Sequence, residues 1–281
     1  MAETCYRHPD RETNVSCSSC GRPICPECMT PTPVGMRCPE CAGQRTKVVH
    51  GQAAFSAAAP ATFALITFNI AAYLVEIAAG SGGFSGTNGT IINDFALQGA
   101  SVADGEWYRL ITGGFLHAGL IHIGFNMFAL FILGRLLEPA IGTPRFVALY
   151  FASLFAGAFG ALALTDPITP TVGASGAVFG LFGAAFVIAR GRGFDTIASQ
   201  LGFLLLINLA LTFGIRGISI GGHLGGLAAG LLCAMLIVAG ERGRLGPRPL
   251  PMELLAMAVV GVLSIVGAIA FADQGIWVNV S

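Results

Sequence analysis

The chain has 281 residues, of which 54% are hydrophobic and only 11% charged, with 15 basic and 15 acidic side chains in balance. A soluble domain carries roughly 25% charged residues, so water is excluded as the solvent for most of this chain. The zero net charge gives no general attraction for a polyanion such as nucleic acid. The polar, Cys-rich start does not read as a secretory signal.

Residues 1–44 are polar and punctuated by Cys, Pro and Gly, and they hold every cysteine except Cys233. The pattern is Cys5-x2-His8, Cys17-x2-Cys20, Cys25-x2-Cys28 and Cys38-x2-Cys41. Two intervening residues let a tight turn bring both ligands onto one tetrahedral ion, and four such pairs supply two closed, structural zinc sites. A segment this small cannot fold on its own core, so about two zinc ions would supply its stability. The competing reading is a disulfide framework, which the cytoplasmic placement argued below disfavours. The spacing resembles B-box-type zinc fingers over residues 5–41, and it leaves open how the pairs share the two ions. Arg7, Arg11, Arg22 and Arg37 are balanced by Glu3, Asp10, Glu12, Glu27 and Glu40. That balance argues against nucleic acid, and the resemblance implies that the module grips a cytoplasmic protein partner or a lipid-proximal surface.

Residues 45–60 read as a linker, and residues 61–273 as a membrane domain. Apolar runs predict spans near 61–79, 116–137, 145–164, 172–190, 198–214, 219–240 and 253–272. Each is close to the ~20 residues that cross the hydrocarbon of a bilayer, where only internally bonded backbone is tolerated. With the N-terminus cytoplasmic, the inner segments carry Arg45, Lys47, Arg135, Arg145, Arg190, Arg192, Arg242, Arg244 and Arg248. The outer ones carry only Arg109 and Arg216. That asymmetry sets the orientation and puts the C-terminus outside. The loop 80–115 lies outside, is Gly-rich, and is long for a structureless connection, a property common in functional loops.

Polar groups inside a bilayer are costly and mark function by default. The candidates are Glu76, His117, His122, Asn126, Ser175, Asn208 and His223. Spans two, four and six run from outside to inside, which places His122, Asn126, Ser175 and His223 roughly 5–15 Å below the outer surface at 1.5 Å per residue. Gly176 and Gly180 on span four, and Gly222, Gly226 and Gly230 on span six, allow close backbone approach in lipid. Such an approach would bring a serine hydroxyl to an imidazole base. His122 and Asn126, four apart, share a helical face and can donate jointly to one negative charge. His117 falls about half a turn round and is expected to anchor the outer loop. Glu76 and Asn208 are expected to bond neighbouring helices.

Residues 61–272 resemble the rhomboid intramembrane proteases. The resemblance rests on Gly173-Ala174-Ser175-Gly176, on His117-x4-His122-x3-Asn126, on Gly222-His223-Leu224-Gly225-Gly226, and on Trp107 with Arg109 in the outer loop. It implies an all-α polytopic fold, a six-helix core plus a C-terminal seventh helix. It implies Ser175 as nucleophile, His223 as base, and His122, Asn126 and the Ser175 amide as oxyanion hole. Phe179 stands where the family often packs an aromatic on the histidine. No Asp or Glu is obviously placed to orient His223. The implied reaction is cleavage of transmembrane protein substrates near the outer face of the bilayer, with no cofactor for the chemistry. The alternative is a rhomboid-like pseudoprotease that binds or escorts membrane clients. A soluble-type hydrolase is excluded because residue 177 is Ala and no strand–helix alternation is present.

Overall fold

A computed structural model describes residues 3–32, 35–43, 58–81, 86, 88–245 and 249–274. The chain divides into two compact units, Met1–Ala53 and Ala54–Ser281. Most of the expected linker, residues 45–57, lies outside the described residues.

The first unit contains two small antiparallel ribbons, β1 (Glu3–Thr4) with β2 (Glu12–Thr13) and β3 (Thr30–Thr32) with β4 (Gly35–Arg37), then the short helix α1 (Pro39–Gly43). Its buried centre is Ile24 with Cys5, Cys17, Cys25, Cys28, Cys38 and Cys41. Sulfur, rather than hydrocarbon, fills this interior.

The second unit is helical: α2 (Pro60–Ala78), α3 (Thr90–Phe95), α4 (Gly99–Ala103), α5 (Arg109–Thr112), α6 (Leu120–Ile141), α7 (Thr143–Leu164), α8 (Ser175–Gly191), α9 (Asp195–Gly214), α10 (Ile220–Glu241) and α11 (Pro249–Asp273). Six of these, α2, α6, α7, α9, α10 and α11, are long and apolar enough to cross a membrane. The expected fourth span is the exception, because α8 has only 17 residues. At 1.5 Å per residue it is about 25 Å long, short of the roughly 30 Å of hydrocarbon.

On α2 the packing is inverted relative to a soluble bundle. The buried residues of α2 are Thr62, Asn69, Tyr73 and Glu76, while Phe68, Leu74 and Val75 point outward. With lipid outside, polar groups gain by facing protein. Glu138, near the end of α6, accepts from the amides of Ala61 and Thr62 at 3.0 and 2.8 Å and from the hydroxyls of Thr62 and Thr143. It thereby satisfies donors at the start of α2 that have no intrahelical acceptor. Sequence reasoning had not singled out Glu138, although a carboxylate inside an apolar run was the available signal.

Helices α7, α8 and α10 form the centre, and glycines set their spacing. A methyl at Gly226 would lie 1.9 Å from the Gly176 carbonyl oxygen, and one at Gly230 would lie 2.1 Å from that of Gly180. On a second face of α10, Gly221 and Gly225 press in the same way on Gly160 and Ala156 of α7. The first set was expected from its spacing. The contact through Gly157 and Gly160 of α7 was not.

As its length suggested, the loop 80–115 is more than a bare connection: it carries α3, α4 and α5. Arg109 is buried and donates to the carbonyls of Asn93 and Ala96 at 2.7 and 2.8 Å, so its guanidinium ties the loop together, whereas Trp107 is exposed. The second span begins at Leu120 rather than 116, because Gly119 takes a positive φ at its N-cap. His117 therefore precedes the helix and has no position on its wheel.

Candidate active site and metal-binding clusters

Ser175 is the first residue of α8 and is half-buried. The segment leading to it is satisfied by protein, as irregular backbone at membrane depth requires. Leu97 and Thr171 exchange amide–carbonyl bonds at 3.1 and 2.8 Å, and the Gly173 amide donates to Gly113 at 2.9 Å.

His223 lies in the first turn of α10, whose N-cap Ser219 accepts from the Gly222 amide at 3.1 Å. The imidazole stacks on Phe179 with centroids 3.9 Å apart and planes 19° apart. Phe179 is one turn after Ser175 on the same helical face. Backbone contact between α8 and α10 at Gly176, Gly222 and Gly226 makes this possible. Among the described residues the Ser175 hydroxyl makes no hydrogen bond, and the side-chain bond of His223 goes to Thr212 through Nδ1 at 2.7 Å. Catalytic hydrogen bonds are commonly loose before substrate binds.

The other flank of Ser175 meets α6. Gly173 has φ +123°, and a methyl there would lie 2.8 Å from His122 Nε2 and 3.8 Å from Asn126 Nδ2. Both side chains thus abut the GxSG turn. The Ala118 amide donates to His122 Nδ1 at 3.3 Å, which leaves the ring proton on Nε2, the atom beside Gly173. Asn126 Nδ2 spends one N–H on the His122 carbonyl at 3.0 Å and keeps a second. The Ser175 amide, at the N-terminus of α8 and two residues after Gly173, is a further donor without an intrahelical acceptor.

The Rhomboid domain family matches residues 104–240. The rhomboid protease GluP of Bacillus subtilis (strain 168) is 34% identical over 194 residues, covering 68% of this chain and 37% of GluP. The putative rhomboid protease YdcA of the same organism is 36% identical over 148 residues, covering 51% of this chain and 73% of YdcA. The chain belongs to the rhomboid family. A rhomboid-like protease 5 of Toxoplasma gondii is also 36% identical, over 137 residues, or 16% of its own length. This rhomboid is an integral membrane protein, and its family match contains Ser175, His223, His122 and Asn126. The match leaves out the Cys-rich unit, α2 to α4 and α11.

The remaining polar residues fall outside this focus. Glu76 is fully buried and accepts the His117 amide at 3.2 Å, joining α2 to the segment before α6. The His117 ring, also fully buried, packs edge-on against His122 at 5.2 Å. Among the described residues Asn208 does not bond a neighbouring helix: its amide donates to the carbonyl of Leu204 in its own helix. Thr212 was missed, because one hydroxyl in an apolar run gives no periodic signal.

In the Cys-rich unit the pairs interleave. Cys5, His8, Cys25 and Cys28 form one cluster, and Cys17, Cys20, Cys38 and Cys41 the other, with ligand atoms within 4.8 Å of one another in each. His8 Nδ1 lies 3.9, 3.3 and 3.5 Å from the sulfurs of Cys5, Cys25 and Cys28, and the sulfurs of Cys20 and Cys38 are 3.8 Å apart. Tetrahedral bonds of about 2.0–2.3 Å give ligand separations of roughly 3.5–3.8 Å, so both clusters fit a metal ion. The Cys38 amide donates to Cys17 Sγ at 3.3 Å and is the main cause lowering that thiol to about 6. The Arg22 guanidinium, donating at 3.3 Å, lowers Cys20. Both shifts favour the thiolates that bind metal.

Proposed function

We propose that this rhomboid is an intramembrane serine endopeptidase that cleaves transmembrane-helix substrates near the outer membrane face. The observation that carries this reading is the stacking of His223 on Phe179, one turn from Ser175, with His122 and Asn126 against the turn on the other side. Ser175 Oγ attacks the scissile carbonyl while His223 takes its proton. The developing oxyanion accepts from His122 Nε2–H, the free Asn126 N–H and the Ser175 amide. Collapse transfers the proton from His223 to the leaving amine. Water entering from the outer face then hydrolyses the acyl-enzyme by the same steps.

The arginines support an orientation with the N-terminus cytoplasmic, in a bacterial cell membrane. Arg145 pairs with Glu253, Arg192 with Glu241 and Arg190 with Asp195, all at one end of the helices. The Cys-rich unit is a structural zinc module that binds a cytoplasmic protein. Its residue-level ligand sets are those of the two clusters, and zinc matches their sulfur-rich, four-coordinate donors.

The test is reconstitution in liposomes with a single-span model substrate. Wild type is expected to cleave it and to be labelled by a fluorophosphonate, while Ser175→Ala does neither. Undiminished cleavage by Ser175→Ala would refute the assignment. Inertness of the wild type in both assays would favour the client-binding alternative.

A further inference from the structure

We infer that Thr212, on α9, is the positioning residue that fixes the tautomer of His223, standing where a triad would use a carboxylate. This inference rests on the reading of Ser175 and His223 as a catalytic pair. The Thr212 hydroxyl donates to the Asn208 carbonyl at 2.8 Å, one turn back in its own helix. A hydroxyl has a single proton. With that proton committed, Thr212 Oγ1 can only accept in its 2.7 Å contact with His223 Nδ1. The imidazole proton therefore sits on Nδ1, and Nε2 keeps the lone pair needed to deprotonate a serine. Phe179 stacks on the ring face, so the plane and the rotation of the imidazole are both held.

The setting of Thr212 argues against a role in packing alone. Helix α9 buries only Ala198, Leu201 and Thr212, and Leu204, Leu206, Ile207, Leu211 and Phe213 are exposed. Thr212 is 2% exposed, so the one polar side chain that this lipid-facing helix buries is the one that touches His223. The bonds form a relay from His223 Nδ1–H through the Thr212 hydroxyl to the Asn208 carbonyl, and such chains polarise cooperatively. The acceptor is neutral. It orients the imidazole and stabilises the imidazolium less than a carboxylate would, which suits a site where, among the described residues, no carboxylate bonds the histidine.

The experiment compares full-length wild type, Thr212→Val and Thr212→Ser in proteoliposomes, with Ser175→Ala as control. The readouts are cleavage of the model substrate, the rate of fluorophosphonate labelling and the melting temperature. The 15N spectrum of histidine-labelled protein is recorded as well, with His223 assigned through His223→Asn. A wrong tautomer beside a charged partner costs about 10⁴, so losing a neutral one is expected to lower kcat about 10- to 100-fold. KM and melting temperature should be nearly unchanged, labelling should slow in parallel, and Thr212→Ser should restore most of the rate. The wild-type spectrum should show His223 protonated on Nδ1, and Thr212→Val a mixture. A wild-type His223 protonated on Nε2 overturns the inference even if Thr212→Val does not fold. So does a folded Thr212→Val with wild-type kcat and labelling. Cleavage and labelling that survive in Ser175→Ala sink the catalytic pair itself, a separate result from either.

Discussion

At the scale of single residues, the site is a set of short side chains made effective by where their protons are. His122 presents Nε2–H because the Ala118 amide occupies Nδ1, and Asn126 presents one N–H because the other is spent on the His122 carbonyl. Removing one oxyanion donor typically costs about 10²–10³ in rate. Asn126→Ala is therefore expected to lower kcat by about 10² with KM little changed, as measured in liposomes with the model substrate. The residues of this set were legible in the sequence, because four-residue spacing and intramembrane polarity both mark them. Thr212 was not legible: its role depends on a contact between helices that no local pattern encodes. Asn208 was misread for the same reason, since an amide in an apolar run can equally bond its own preceding turn.

At the scale of elements, glycine decides how close the helices come, and closeness decides whether His223 reaches Phe179 and the start of α8. The Gly226 contact is with backbone, so no rotamer change can relieve an added methyl. Gly226→Ala is expected to destabilise the membrane unit by about 1–3 kcal/mol or more through overpacking. Melting in detergent should fall and cleavage should drop with it. By contrast, Gly124 meets nothing within 4 Å, and Gly124→Ala should leave both unchanged. The short α8 belongs to the same scale. An apolar run marked a helix there, but that helix is too short to count among those able to cross a membrane, and its start at Ser175 instead of 172 reflects the GxSG turn, whose backbone bonds outward to Leu97 and Gly113 rather than into the helix.

At the scale of the whole molecule, two units follow different folding economies. The membrane unit buries polar stripes and glycine seams against a lipid exterior. The Cys-rich unit buries sulfur around two clusters that could each hold a metal ion, and occupied clusters would tie its folding to metal. Purified protein is expected to carry about two zinc ions by metal analysis. A membrane-compatible chelator should strip them and expose the cysteines to thiol reagents, while the melting transition of the helical unit persists. Readily modified thiols in metal-free protein as isolated would count against the module.

Composition and periodicity alone determined that this is a polytopic membrane protein and which polar residues had to be explained, because the bilayer penalises every exception. They also determined that four ligand pairs existed. Which pairs share an ion was decided only in three dimensions, as were the second glycine face of α10, the cap that Glu138 makes on α2, and the proton arrangement around His223. Each depends on groups that are not neighbours in sequence meeting within 2.7 to 4.8 Å. One-dimensional spacing carries no record of such meetings.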